Sequence, residues 1–396
     1  MTTSEIQFEH IKVGELPAFA DRIIRKSAPG QFVPITLQRA IAHANNPYAD
    51  EDDVGLLVAV DEDGEVVGYF GILPMMLRVD EALFKTHWFT TWSVSRKVRG
   101  RGVGTLLMEE ALKLNLDYLI VGSIHARRVC EKYGFWEREP LRYYWVDMSG
   151  MVSLNPLTWL LRLFRKAAHL LNIKKVISIS TLMTRWFDRV ISPFTKTFFY
   201  WTLSRSLALV LNEFNYREVS QIRPDQPMQA NRPKVELHRG IEVVNWMLSY
   251  PWIVEVGNSP TENMDYYFSD ARPFYRFIAV EVTNPGDSAY QGYIVFSVSE
   301  KENRIIVKTL DFRLSDASQY PYILALAVHY GRLNNADTIE IPDEVAHSLK
   351  MSLQGRLLLE AKKRIYQCRP KSEDSPLAGA WYDIIRHLYD GDMAFS

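Results

Sequence analysis

The sequence predicts an α/β (α+β) protein of two mixed β-sheet domains flanked by helices and joined by a helical, basic segment. Three observations predict it. Strand and helix patterns alternate through residues 1–150. A comparable order returns after residue 221. Between them the composition changes abruptly: across 152–212, basic residues outnumber acids nine to one, Asp188 being the single acid. Alternating elements build sheets covered by helices, and a recurring order signals a repeated architecture. Domains are therefore expected at 1–150 and 221–396, with 151–220 as a helical basic amphipathic connector. At 396 residues and 47% hydrophobic, the chain has apolar side chains enough for two cores.

Residues 5–12 read as a strand, and "LPAFADRIIRK" and "ITLQRAIAHA" as helices with apolar residues three and four apart. "VGLLVAVDEDGEVVGYFGIL" is two strands around Asp61-Glu62-Asp63-Gly64, because Asp and Gly tolerate positive φ. "KTHWFTTWSVS" is a further strand, and the loop "VRGRGVGTLL", residues 98–107, follows it. "GTLLMEEALKLN" places Leu106, Leu107, Ala111 and Leu114 on one helical side. "DYLIVGS" reads as a buried strand, and "HARRVCEKYGF" as a short helix ending at Gly134, the residue type that terminates helices. The predicted order is β-α-α-β-β-β-loop-α-β-α-β.

The loop carries the chemistry. Glycines at 100, 102 and 104, set between a strand and a helix, let backbone N–H groups point inward at the positive end of a helix dipole. That arrangement cradles phosphate. It is not a Walker A loop, since no Gly-Lys-Ser/Thr follows, nor GxGxxG, since Thr105 and Leu107 stand where the last glycine is needed. The spacing is Arg-x-x-Gly-x-Gly, from Arg99 through Gly100, Arg101, Gly102 and Val103 to Gly104.

At these residues the chain resembles the GNAT-type N-acyltransferases, whose Arg/Gln-x-x-Gly-x-Gly/Ala loop binds the pyrophosphate of acetyl-CoA. "ARRVCEKYGF" is similar to the late helix motif of that family, usually Ala-x-x-Leu-Tyr-Glu-Lys-x-Gly-Phe. The resemblance covers about residues 5–148. It implies acetyl-CoA, or another acyl-CoA, held by Arg99 to Thr105 and aligned by the backbone of Trp92, Ser93 and Val94. It also implies acyl transfer to a primary amine of a small molecule, an amino sugar or an amino acid. The family pattern fails at two points. Cys130 stands where many members carry a Tyr that protonates the leaving thiolate; with a reference pKa of about 8.5 a thiol can donate, or it can equally be a small buried hydrophobe. Tyr133 is the other hydroxyl in reach along the chain. The strand 85–95 holds no Asp or Glu, so the usual base is missing, and His87 is its one group with a pKa near neutrality.

The second half repeats the architecture without the loop. "RFIAVEVTNPGDSAYQGYIVFSV" is a hairpin around Asn284-Pro285-Gly286-Asp287, "YPYILALAVHYGRLN" a helix and "ADTIEIPD" a strand, but "RLSDASQYP" contains no glycine. This half is expected to be a degenerate GNAT-like unit that binds no CoA and either covers the acceptor cleft of the first or docks another molecule. Nothing in "RHLYDGDMAFS" suggests chemistry. The basic segment 152–212 reads as amphipathic helices able to lie on an anionic membrane or to pack between the domains.

A net charge of −1 argues against general nucleic-acid binding. Cys130 and Cys368, far apart and without CxxC or His-rich spacing, suggest neither a disulfide framework nor a metal site. With Glu5 and Glu9 where a signal peptide is basic and apolar, a cytoplasmic protein is expected. Two other readings compete: a FemAB-like aminoacyl transferase, which fits the tandem halves, and a noncatalytic acyl-CoA sensor, which fits the missing Tyr and carboxylate.

Overall fold

A computed structural model describes residues 6–148, 207, 209–223, 234–268, 270–350 and 359–392. Most of the connector expected at 151–220, with its membrane-facing and domain-packing alternatives, lies outside the described residues; at its described end Asn215–Val219 form a strand of the second sheet, not the helix expected there. No helix among the described residues is long and apolar enough to cross a membrane.

The first half runs β1 (Gln7–Lys12), α1 (Leu16–Lys26), α2 (Leu37–Ala44), β2 (Val54–Val60), β3 (Val66–Val79), β4 (Ala82–Val94), α3 (Val103–Lys113), β5 (Tyr118–Ile120), α4 (Ile124–Lys132), β6 (Trp136–Glu137) and β7 (Leu141–Asp147). The order expected from the sequence is the order observed as far as α4; one strand is expected after that helix, and two, β6 and β7, follow it. The second half runs β8 (Asn215–Val219), β9 (Val235–His238), α5 (Ile241–Ser249), β10 (Val254–Glu255), β11 (Ala271–Arg272), β12 (Tyr275–Thr283), β13 (Tyr290–Lys301), β14 (Arg304–Leu314), α6 (Tyr320–Leu333), β15 (Thr338–Pro342), α7 (Asp343–Lys350), β16 (Leu359–Arg364), β17 (Gln367–Arg369) and α8 (Pro376–Ala380).

The two large sheets exchange a strand. One has the order β1-β2-β3-β4-β5-β17-β6, with β9 also on β3; the other is β16-β7-β15-β14-β13-β12-β8. Strand β7 lies between β15 and β16, and β17 between β5 and β6, all antiparallel. Each half thus fills a gap in the sheet of the other, and the boundaries drawn at 150 and 221 do not follow the sheets. The residues of β7 are readable as a strand, but period-2 patterning says nothing about which sheet a strand joins.

Alternation along β2 sorts the core of the first half. Leu57 and Ala59 face α3 with Phe70, Phe89, Val103 and Leu107, whereas Leu56 and Val58 face α1 and α2 with Leu16, Phe19 and Tyr69. Leu107 is fully buried, a contribution of about 1.5–3 kcal/mol for a side chain of its size. A third cluster, with Leu73, Trp88, Trp246, Trp252, Tyr293 and Trp381, joins the halves. Buried Glu236 ties them ionically, accepting from Arg78 at 2.7 Å and Arg313 at 3.4 Å.

Two features of β4 position the site. Phe70 pairs with Trp92 and Ile72 with Phe89, so both Thr90 and Thr91 stand opposite Gly71 in a bulge. Gly71 is required there: a Cβ would come within 2.6 Å of Thr90 Cγ2 and 2.8 Å of Thr91 Oγ1. Secondly, the parallel pairing of β4 with β5 ends at Phe89 and Ile120, while β4 continues to Val94. The second half repeats both, with a register shift where β14 carries Leu310 between Thr309 and Asp311, and parallel pairing of β14 with β15 that stops at Lys308.

Candidate functional site

The glycine loop closes on the free end of β4. A Cβ at Gly104 would stand 3.5 Å from both the Trp92 indole nitrogen and Val94 Cγ2, so the start of α3 rests directly against that strand. Gly100 and Gly102 adopt φ of +83° and +80°, and Gly102 is the N-cap of α3. Buried Val103 and Leu107 hold the helix in place. The amides of Arg101 and Thr105 bond back to Val98 and Gly102 carbonyls, whereas those of Gly100, Gly102, Val103 and Gly104 find no backbone acceptor among the described residues. Unsatisfied first-turn amides at the positive end of a helix attract an anion. Arg99 and Arg101 are exposed beside them and enter no ion pair among the described residues. All seven loop residues read from the sequence, Arg99 to Thr105, are therefore in one place, with Trp92, Ser93 and Val94 alongside.

Each of the three catalytic candidates is buried or already hydrogen-bonded. Cys130 is 0% exposed in the core beneath α4, and burial pushes its thiol up to about 12. Such a thiol is a weaker acid than an ordinary one near 8.5, so giving a proton to a leaving thiolate is uphill. The hydrophobe reading is the one its surroundings support. Tyr133 caps the C-terminus of α4 and donates to Glu109 Oε1 at 2.6 Å, and that carboxylate raises its pKa to about 12. His87 lies where β4 and β5 are still paired, before the bulge; burial lowers it to about 4. Neutral, it packs edge-on against Tyr118.

The carboxylate that the strand lacks arrives from the other end of the chain. Asp392 accepts the Thr90 hydroxyl at Oδ2 (2.7 Å) and the Trp88 indole N–H at Oδ1 (2.9 Å). Burial raises its pKa, opposed by the Thr90 hydrogen bond and the Arg39 charge. The segment "RHLYDGDMAFS" thus does carry a chemical group. Gly391 lets it approach: with φ of +63°, any Cβ there would stand 2.1 Å from the Trp88 ring. A glycine between two aspartates was the available signal, but it has no meaning until the partner strand is known.

Around Asp392 the bulge face of β4 is polar. Tyr69 is buried with its hydroxyl toward Ser93, and the Tyr266 hydroxyl approaches Thr91. Their rings stack at 6.0 Å. Tyr266 belongs to a stretch of the second half that docks on the first through Gly30 N–H to the Asn263 carbonyl (2.7 Å) and Asp265 N–H to the Gln31 carbonyl (2.9 Å). The second half therefore covers this face. Its own counterpart of the loop is closed by an acid: the Asp316 carboxylate accepts from Ser318 N–H at 2.7 Å, putting negative charge where a phosphate would need amides. No cluster of His, Cys, Asp and Glu among the described residues is arranged to hold a metal.

Residues 23–135 match the model of the acetyltransferase (GNAT) family. No curated protein matches the chain. Similar solved structures include Saccharomyces cerevisiae N-myristoyltransferase with bound myristoyl-CoA, at TM-score 0.48 and 10% identity over 93% of this chain and 83% of that one. A tandem GNAT protein from the clavulanic acid biosynthesis pathway aligns at 0.45 and 10%, over 94% and 100%. A GCN5-related N-acetyltransferase from Anabaena variabilis aligns at 0.41 and 10%, over 92% and 73%.

Proposed function

We propose that this chain, whose residues 23–135 match the acetyltransferase (GNAT) family model, is an N-acyltransferase that passes an acyl group from acetyl-CoA, or another acyl-CoA, to a primary amine of a small molecule. The observation that carries the reading is the set of amides at Gly100, Gly102, Val103 and Gly104, without backbone acceptors among the described residues, beside the end of β4 that is open on its β5 side. Those amides, with Arg99 and Arg101, meet the pyrophosphate. The main chain of Trp92 to Val94, paired with β3 on one side and without a neighbour on the β5 side beyond Ile120, offers hydrogen bonds to the amide-bearing arm. Acyl-CoA supplies the activated thioester carbonyl when bound. Asp392 holds the acceptor's ammonium and takes its proton, since a carboxylate raised by burial is a better base than an exposed one. Thr90 and Trp88 fix its two oxygens, so little reorganisation accompanies the step. Neither Cys130, His87 nor Tyr133 has a part in it.

Calorimetric titration of the purified protein with acetyl-CoA and with a long-chain acyl-CoA tests the reading, alongside Gly102→Glu, which places a carboxylate in the cradle. Wild type binds one of the two and the variant neither, and an amine panel then releases free CoA thiol. Absence of binding by wild type overturns the assignment. Binding without turnover of any amine leaves the sensor.

A further inference from the structure

Arg39, on α2, is 4% exposed, and no carboxylate of the described residues lies within ion-pair distance of it. Its Nε has no hydrogen-bond partner. Aromatic faces hold it instead: Cζ stands 4.2 Å from the Trp252 ring centroid and 5.9 Å from that of Tyr266. One turn along α2, His43 is 2% exposed, rests against Trp252 at 5.0 Å between centroids, and has neither ring nitrogen hydrogen-bonded. A buried guanidinium with no carboxylate within ion-pair distance is costly, and so are buried donors without acceptors, unless a ligand completes them. This cluster adjoins the bulge face of β4: the charge of Arg39 reaches Asp392, and Tyr266, beside Arg39, stacks on Tyr69, which pairs with Ser93 of β4. A cationic subsite walled by aromatics therefore stands beside the carboxylate that would receive the amine.

We propose that the acceptor carries, near its reacting amine, an oxyanion group that Arg39 pairs between Trp252 and Tyr266. The inference rests on the acyl-transfer reading for the word acceptor, not for the anion subsite itself. Carboxylate and phosphate are the two sources of that chemistry, found in amino acids and in amino sugar phosphates. A guanidinium suits either, because its planar fork matches two oxygens at once.

Matched amines decide it. Acetyl transfer is measured with phenethylamine against phenylalanine, which differ by a carboxylate, and with glucosamine against glucosamine 6-phosphate. Wild type favours the anionic member of at least one pair by tenfold or more in kcat/KM. In Arg39→Gln that ratio falls at least tenfold, chiefly through KM, and Arg39→Lys restores part of it. A ratio near one in wild type, or one that Arg39→Gln leaves unchanged, overturns the proposal. Should no member of either pair be turned over, thermal unfolding in acetate and in inorganic phosphate reads the subsite directly. One of the two anions then stabilises wild type and not Arg39→Gln; equal responses overturn the proposal. Anion stabilisation in a protein that binds no acyl-CoA would keep the subsite and dispose of the acyltransferase.

Discussion

The indole N–H of Trp88 donates to Asp392 at 2.9 Å across a separation of 304 residues. With the Thr90 hydroxyl on the other oxygen, a segment of the second half sets a carboxylate onto the strand that precedes the glycine loop. Asp392→Asn removes the base and leaves a side chain of the same shape. We expect kcat to fall by roughly 10²–10⁴, the usual range for loss of a general base. Acetyl-CoA affinity, read by calorimetry, stays within about threefold of wild type, since on this assignment the carboxylate acts on the amine. The acid limb of the pH profile disappears in the variant, because a carboxylate with a raised pKa loses activity as pH drops through that pKa.

Gly391→Ala tests the same contact through the backbone. The new methyl would overlap the Trp88 ring, and φ of +63° is disfavoured for alanine by about 1–2 kcal/mol. Asp392 is then pushed off Thr90, and kcat falls nearly as far as in Asp392→Asn although every reacting side chain is retained. A variant with normal kcat would detach Asp392 from the chemistry.

At the bulge, Gly71→Ala brings a methyl to 2.6 Å from Thr90 and 2.8 Å from Thr91. Such overpacking costs about 1–3 kcal/mol, measurable as a lower urea midpoint at constant m-value. Because both threonines move, kcat declines with stability.

What could be read from the sequence was what the chain encodes locally. Arg99 to Thr105 form a cradle because glycines and a helix start are adjacent in sequence, and the conformational freedom they supply needs no distant partner. The order of elements along the first half, as far as α4, was legible for the same reason. Residues 141–147 announce a strand, yet their pairing with Thr338–Pro342 and Leu359–Arg364 depends on the other half. Asp392 was hidden likewise: its role exists only once Trp88 and Thr90 face it. Cys130 is a different case: its motif position left a proton donor and a small buried hydrophobe open, and its place in the core cluster of Phe89, Leu107 and Phe135 favours the second.

Cys130→Ala accordingly keeps kcat within about threefold of wild type and lowers stability by about 1 kcal/mol, the central cost of a single substitution. Both cysteines are buried, so the native protein reacts with a thiol reagent only as fast as it unfolds. Rapid labelling of Cys130 together with loss of activity would return it to the site.

Stability should fall in mild acid because of two buried histidines. Burial, aided by the Arg39 charge, lowers His43 to about 3, and burial lowers His87 to about 4 against the opposing charges of Asp53 and Asp117. In the unfolded chain both titrate near 6.5. Between that value and the folded ones, the unfolded state binds more protons, so the unfolding free energy rises with pH and is lost as pH falls. The slope is at most about 1.4 kcal/mol per pH unit for each histidine, so together they remove up to roughly 3 kcal/mol between pH 6 and pH 5. Urea unfolding at a series of pH values measures it. His87→Gln, neutral at every pH, should halve the slope over this window, and a slope equal to wild type would mean that His87 is protonated in the native state.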